Sequence, residues 1–387
     1  MNTRPLRHLI GWAALLAATL PALPREARAC GGFFTETNSS EVAVMSDIRV
    51  LLVQSPGSVE QYVQVGYDGR ATRFAWIYPV TGNPQVSEAA QPPFAELETV
   101  SRPRVTITTP HDGGGGGGLG CGSADATAGL REDGQNADPS VQVWQQGQVG
   151  AFDYVVITAT TPDDLLGWLN TNGFAIPPQT QGVIGHYIAL KWYFVAMKVS
   201  VSAGATPNVP STTVIRLAYD ATEVRYPLKM VSLSPAAATS VEIYLVQTAP
   251  GQQLVPAAPF AAVTINPAEV TATSETTHTY EQAFDKAESQ GGRRALVLEY
   301  ASTGWSPSLA HLTGVPTGSA LTRLRATFAP DDMDQDLIFS SRPHVEVSSQ
   351  YQLTYVPAQA AAAPLALLIL LLAWRGLRRR RSRAEGQ

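Results

Sequence analysis

Catalytic signatures are what this chain lacks. Five histidines follow residue 30 (His111, His186, His278, His311 and His344), and none is spaced as an H-x-H or H-x-x-x-H pair, so a zinc site has no support. A G-x-S-x-G nucleophile elbow is absent. The six consecutive glycines Gly113 to Gly118 have no lysine nearby, and Ser123-Ala124-Asp125 opens no apolar helix. A phosphate-cradling loop needs both features, so the tract reads as a linker or surface excursion within a flexible loop over 112–138. No motif calls for a cofactor.

Basic residues are also scarce once the two ends are set aside. The first 29 residues hold four arginines and Glu26, and the last 13 hold six arginines and Glu385. What remains has 17 basic and 30 acidic residues, a net charge of −13, and only four lysines. Such a domain offers no basic patch for nucleic acid and none for anionic lipid head groups.

What is present is an address. Arg4 and Arg7 precede an apolar run from Leu9 to Leu20, and Ala27-Arg28-Ala29 supplies a small-x-small cleavage site. Together these predict a signal peptide over 1–29. At the other end, Ala360 to Trp374 is apolar apart from Pro364; extended back to Val356 the stretch is 19 long, at the short end of what spans a bilayer, and Arg375, Arg378, Arg379, Arg380, Arg381 and Arg383 follow. This predicts a transmembrane helix with a basic cytoplasmic tail over 375–387. The layout is that of a single-pass envelope protein with its N-terminus outside, its C-terminus cytoplasmic, and residues 30–355 exported.

Two cysteines, Cys30 and Cys121, make up the whole complement. In an oxidising compartment an even pair reads as one disulfide, and we expect that bridge. It would close a loop of about 92 residues, worth at most about 4–5 kcal/mol by chain entropy. The competing fate is a lipidated Cys30 with a free Cys121, which Arg28 fits badly.

The stretch between the ends patterns as β. Runs rich in valine, isoleucine and aromatics occupy Val42 to Val53, Glu60 to Tyr67, Thr72 to Val80 and Arg104 to Thr109. Gly57 and Asp68-Gly69 supply turns, and the second predicts a hairpin. Further strands are expected at Val141 to Trp144, Ala151 to Thr160, Tyr193 to Val201, Thr212 to Ala218, Val241 to Gln247, Ala261 to Ile265, Ala295 to Tyr300 and Leu321 to Phe328. One helix is well marked: Thr161 as cap, Pro162 in the first turn, Asp163 and Asp164 at the positive end, Gly173 at the stop. A second spans Thr279 to Ser289. The expected fold class is α+β, β-dominated, with mostly antiparallel sheets and a few short helices, plus the C-terminal membrane helix.

Three groups of residues invite a functional reading. Asp332, Asp334 and Asp336, next to Asp331, have the alternate spacing that opens a calcium loop, but Leu337 stands where its glycine belongs and Pro343 where its glutamate belongs. They remain a weak candidate for a looser calcium site, against a solvated turn. The pairs Trp76/Tyr78 and Trp192/Phe194 share a strand face, as a stacking surface or as core, and core packing is the expectation. Lys198 sits beside apolar strand residues, and a strand-end lysine reaching for water is the default.

An ordered set of short motifs carries a resemblance. It comprises Cys30-Gly31-Gly32-Phe33-Phe34, Phe74-Ala75-Trp76-Ile77-Tyr78-Pro79-Val80, Gly150 to Tyr154, Leu166-Gly167-Trp168-Leu169 with Gly173-Phe174, Trp192 to Lys198, and Tyr226-Pro227-Leu228-Lys229-Met230. This set resembles the bacterial envelope family known as domain of unknown function 2330. The resemblance implies one contiguous exported domain, and it brings no activity, ligand or catalytic residue.

The expectation is therefore a non-catalytic cell-envelope protein, with an exported interaction or structural domain and a protein partner in the envelope. A hydrolase acting on envelope peptides or polymers is one alternative. A ligand-sensing or assembly module of a membrane complex is another.

Overall fold

The computed structural model describes residues 33–35, 47–64, 74–89, 91–108, 140–150, 152–174, 176, 180–199, 214–233, 238–272 and 279–354. The signal segment, Cys30, Cys121, the glycine tract, His111, His278 and the C-terminal apolar segment lie outside the described residues. Among the described residues no helix is long and apolar enough to cross a membrane.

Eighteen strands and five α-helices succeed one another among these residues. They are β1 (Phe33–Thr35), β2 (Asp47–Ser55), β3 (Ser58–Gln64), β4 (Phe74–Val80), β5 (Gln85–Glu88), α1 (Phe94–Ser101) and β6 (Arg104–Thr108). Next come β7 (Val141–Val149), β8 (Phe152–Ala159), α2 (Pro162–Thr171), α3 (Gln181–Ala189), β9 (Tyr193–Val199), β10 (Val214–Asp220), β11 (Val224–Tyr226) and α4 (Leu228–Val231). The last are β12 (Thr239–Gln247), β13 (Gln252–Pro256), β14 (Ala261–Thr264), α5 (Tyr280–Gly291), β15 (Ala295–Ser302), β16 (Ala320–Phe328), β17 (Leu337–Pro343) and β18 (Gln350–Thr354). The protein is β-dominated, and most pairings are antiparallel. The parallel ones are β2–β12, β14–β15 and β6–β18.

Two large sheets face each other. One has the order β1-β4-β9-β8-β7, the other β14-β15-β16-β12-β2-β3-β10-β5. Alternate residues of both meet in the largest core: Val50, Leu52, Ile215, Leu217, Ile243, Leu245 and Leu324 from the larger sheet, Trp76, Tyr78, Val156, Val195 and Met197 from the smaller. The period-2 pleat makes this possible, because each strand sends every second side chain inward. Gln61 is buried in this interface, and its amide is satisfied: Tyr78 donates to Oε1 at 2.8 Å, and Nε2 donates to the Arg225 carbonyl at 3.1 Å and to the Tyr219 hydroxyl.

The outer faces are covered too. Ala75, Ile77, Ile157, Phe194 and Ala196 of the smaller sheet pack under Leu165, Leu166 and Leu169 of α2 and Ile184 and Tyr187 of α3. Phe94 and Leu97 of α1 cover Leu51, Val53, Tyr62 and Tyr244 of the larger sheet. Tyr280, Ala283, Phe284 and Ala287 of α5 cover Val297 on the same outer face. The result is four layers: helix, sheet, sheet, helix.

Local chemistry explains several ends. Thr161 and Asp164 form a reciprocal cap on α2, with Asp164 N donating to Thr161 Oγ1 at 3.2 Å and Thr161 N donating to Asp164 Oδ2 at 3.1 Å. The β2–β3 hairpin turns at Gly57, whose φ of 79° suits glycine. Asp68-Gly69, the expected hairpin turn, lies outside the described residues, and the described strands on either side of it do not pair with each other. The strands flanking it lie in different sheets, β3 between β2 and β10, β4 between β1 and β9. Both edges of each strand are already taken, β3 by its hairpin partner β2 and by the distant β10, β4 by β1 and β9, so β3 and β4 do not pair.

Candidate charged cleft

The outer face of the eight-stranded sheet is left uncovered between α1 and α5. Here the pleat brings together charges that the sequence scatters. Glu242 on β12 stands opposite Arg49 on β2 and Arg325 on β16, and Tyr244 stands opposite Arg323. Each of these pairs, Glu242/Tyr244 and Arg323/Arg325, lies two apart on its strand and so shares one face. Glu299 joins them from β15 through an irregularity. The register with β16 jumps between Leu298 and Tyr300, so Glu299 and Tyr300 together oppose Arg323. A bulge of this kind re-aims a side chain and is enriched beside functional sites.

These groups floor a cleft of about 600 Å³ walled by Glu98, Arg102 and Arg104 on one side and Tyr280 and Glu281 on the other. Arg323 is 5% exposed and Glu299 2%. Arg323 Nε lies 2.9 Å from Glu299 Oε2, and Arg323 Nη2 lies 3.3 Å from Glu242 Oε1. Arg325 continues the chain, with Nε 3.2 Å from Glu299 Oε1 and Nη2 3.0 Å from Glu281 Oε2. Arg49 extends it the other way, 3.4 Å from Glu242 and 3.7 Å from Glu98. Positive and negative groups alternate along the whole array.

Tyrosines and rings frame it. The Tyr280 hydroxyl donates to Glu299 Oε1 at 2.6 Å, and the Tyr244 hydroxyl donates to Glu242. The Arg325 guanidinium lies 3.8 Å from the centre of the Phe284 ring, a close cation–π contact. Burial opposes the charge of Arg323, but Tyr244, Glu242 and Glu299 outweigh it and leave its pKa raised. Burial raises the Tyr280 and Tyr244 hydroxyls, and the neighbouring carboxylates raise them further. The array is not fully satisfied. Nε of Arg323 and of Arg325 meet Glu299 off the hydrogen-bond axis, and among the described residues the buried Arg323 Nη1 has no hydrogen-bond partner.

The candidates raised by the sequence sit elsewhere. Asp332 pairs with Arg293, and Asp334 takes both oxygens to Arg294 Nη2 at 2.6 and 2.8 Å. Asp336 turns inward, where it accepts from the Tyr187 hydroxyl at 2.7 Å and the Lys229 backbone N–H at 3.0 Å. The three carboxylates therefore go to separate partners. Among the described residues no three His, Cys, Asp or Glu side chains gather in a way that could hold a metal. Trp76, Tyr78, Trp192 and Phe194 are buried core residues. Lys198 reaches the Asn172 carbonyl at 3.4 Å beside the Phe174 ring, as a strand-end lysine does.

Asp336 nonetheless ties three segments together. It joins α3 to α4 and to the start of β17, with His186 Nε2 3.8 Å from its second oxygen. Tyr187 closes the knot by accepting from Met230 N at 3.1 Å. Burial raises the Asp336 carboxyl, against the lowering pull of Tyr187 and Lys229. Burial, followed by Lys229, lowers His186.

The cleft was legible only in fragments. Polar side chains two apart inside otherwise apolar strands, Glu242 and Tyr244 in Val241 to Gln247 and Arg323 and Arg325 in Leu321 to Phe328, are the signal that could have found its floor. Glu299 had no such signal, because nothing in its neighbours marks the register jump.

The model of a family described as an uncharacterized protein conserved in bacteria (DUF2330) matches residues 24–333, and the chain belongs to that family. No curated protein and no solved structure matches it.

Proposed function

We propose that this member of the family is a non-catalytic cell-envelope protein whose β-rich domain is exported by residues 1–29 and held at the membrane by a helix over 356–374. Residues 375–387 then lie in the cytoplasm, and the function is exercised outside. The cleft between α1 and α5 is its contact surface for a protein partner in the envelope.

One observation carries this reading: the cleft's buried carboxylates are all committed to guanidiniums. Glu299 is held by Arg323 and Arg325, and Glu242 by Arg323 and Arg49. Carboxylates so paired have their oxygens turned to neighbouring guanidiniums, and the array as a whole presents a fixed pattern of charge. Fixed charge patterns serve recognition and partner choice. Ion pairs this deep bring little net stability, since desolvation offsets their attraction. Their presence beside the apolar side chains of this face is better accounted for by recognition than by folding.

The test is capture from membranes, using the full chain solubilised in detergent. Partners retained by the wild type are expected to be lost when the exposed rim arginines Arg49 and Arg102 are replaced by glutamine. A preparation that hydrolyses envelope peptides or polymers, with activity sensitive to the cleft, would sink the non-catalytic reading.

A further inference from the structure

Among the described residues, five arginines line the cleft: Arg49, Arg102, Arg104, Arg323 and Arg325. They face four glutamates, Glu98, Glu242, Glu281 and Glu299, so with all nine charged the cleft holds one surplus positive charge. The surplus is at the mouth. The side chains of Arg49 and Arg102 are 39% and 63% exposed, and among the described residues neither guanidinium makes a hydrogen bond. Among the described residues their ion contacts are all long, 3.4 and 3.7 Å for Arg49 and 3.6 Å for Arg102. Below them Arg323, nine-tenths buried, keeps Nη1 without a partner.

We propose that the cleft binds a single carboxylate, gripped by Arg49 and Arg102 at its mouth with the Arg323 charge beneath. This rests on reading the cleft as the contact surface and names the chemistry it recognises. One carboxylate neutralises the surplus and completes the alternation of signs. The flat, forked guanidinium matches a carboxylate through two parallel hydrogen bonds. A phosphate dianion is disfavoured, because its second charge would lie among four glutamates. The carboxylate belongs either to a small acid or to the end of a peptide, and the chemistry is shared.

Thermal melting of the full chain in detergent distinguishes these. Sodium acetate at about ten times its dissociation constant should raise the melting temperature by about 2–4 °C over sodium chloride of equal ionic strength. The Arg49→Gln/Arg102→Gln double variant, altered only at exposed side chains, should melt normally without ligand and lose the acetate shift. A short peptide with a free C-terminal carboxylate acting at tenfold lower concentration than acetate, while its amide does nothing, assigns the source to a peptide terminus. Peptide and acetate acting alike assign it to a free acid. An acetate response no larger than chloride, a phosphate response equal to or above acetate, or a shift that survives the double variant overturns the proposal. If acetate fails while the double variant still abolishes partner capture, the ligand class is wrong and the contact surface stands. If acetate binds while capture is untouched, the carboxylate site stands and the contact surface is wrong.

Discussion

Arg323 and Glu299 face each other at 2.9 Å across neighbouring strands, and both are almost wholly buried. Glu299 is also the bulge residue and the shared anchor of Arg325 and Tyr280. Losing its charge strands two guanidiniums in a desolvated site. We expect Glu299→Gln to destabilise the protein by about 3–5 kcal/mol in chemical denaturation. The double replacement Arg323→Met/Glu299→Met should cost much less than the sum of its single variants, because both charges leave together. Additive losses would show that the pair is not coupled.

The pH response of Asp336 follows from its burial. Its carboxyl is raised above the ordinary value, so the folded state holds this proton more tightly than the unfolded chain does. The stability it contributes is fully present below the unfolded value of about 3.9 and is lost as pH rises through the raised folded value. Asp336→Asn imitates the protonated acid and keeps an oxygen for Tyr187 and Lys229. It should be at least as stable as the wild type at pH 7, with the advantage shrinking as pH falls through that window. Asp336→Ala removes the acceptor and should cost about 1–3 kcal/mol at both ends. Urea midpoints at pH 4 and pH 7 check both.

How much of this could be read from the chain depends on the element. The strands Val241 to Gln247 and Leu321 to Phe328 were legible because their alternation matches one buried and one half-covered face. The α2 helix was legible from its cap, which is local chemistry. By contrast α3 reads QGVIGHYIA, with two glycines and three β-branched residues, and is helical because Ile184 and Tyr187 pack into the sheet. Strand β7 runs on through Gln145-Gln146-Gly147-Gln148, a poor β sequence, because β8 pairs with it. The floor of the cleft needs four strands in register, and no local pattern encodes register between strands distant in sequence.

The cap on α2 offers a direct check on that local reading. Thr161→Ala removes the oxygen that accepts from Asp164 N. The expected loss is about 1 kcal/mol, seen as a lower denaturation midpoint with an unchanged slope.

Gly291 tests how α5 is seated beside the cleft. A Cβ there would lie 2.5 Å from the Ala295 Cβ and 2.7 Å from Val263 Cγ1. Gly291→Ala therefore forces α5 away from β14 and β15, at a cost of about 1–3 kcal/mol. Because Tyr280 and Glu281 ride on that helix, ligand or partner binding should weaken in the same variant. A variant as stable as the wild type would place the helix end farther from the sheet.

The most direct measurement for the whole account is quantitative capture of envelope partners on the full chain, wild type against the Arg49→Gln/Arg102→Gln/Arg104→Gln variant. These three side chains ring the mouth of the cleft. If the cleft is the contact surface, retention of the partner falls at least about tenfold while the variant melts as the wild type does. Equal retention by the two proteins would contradict it.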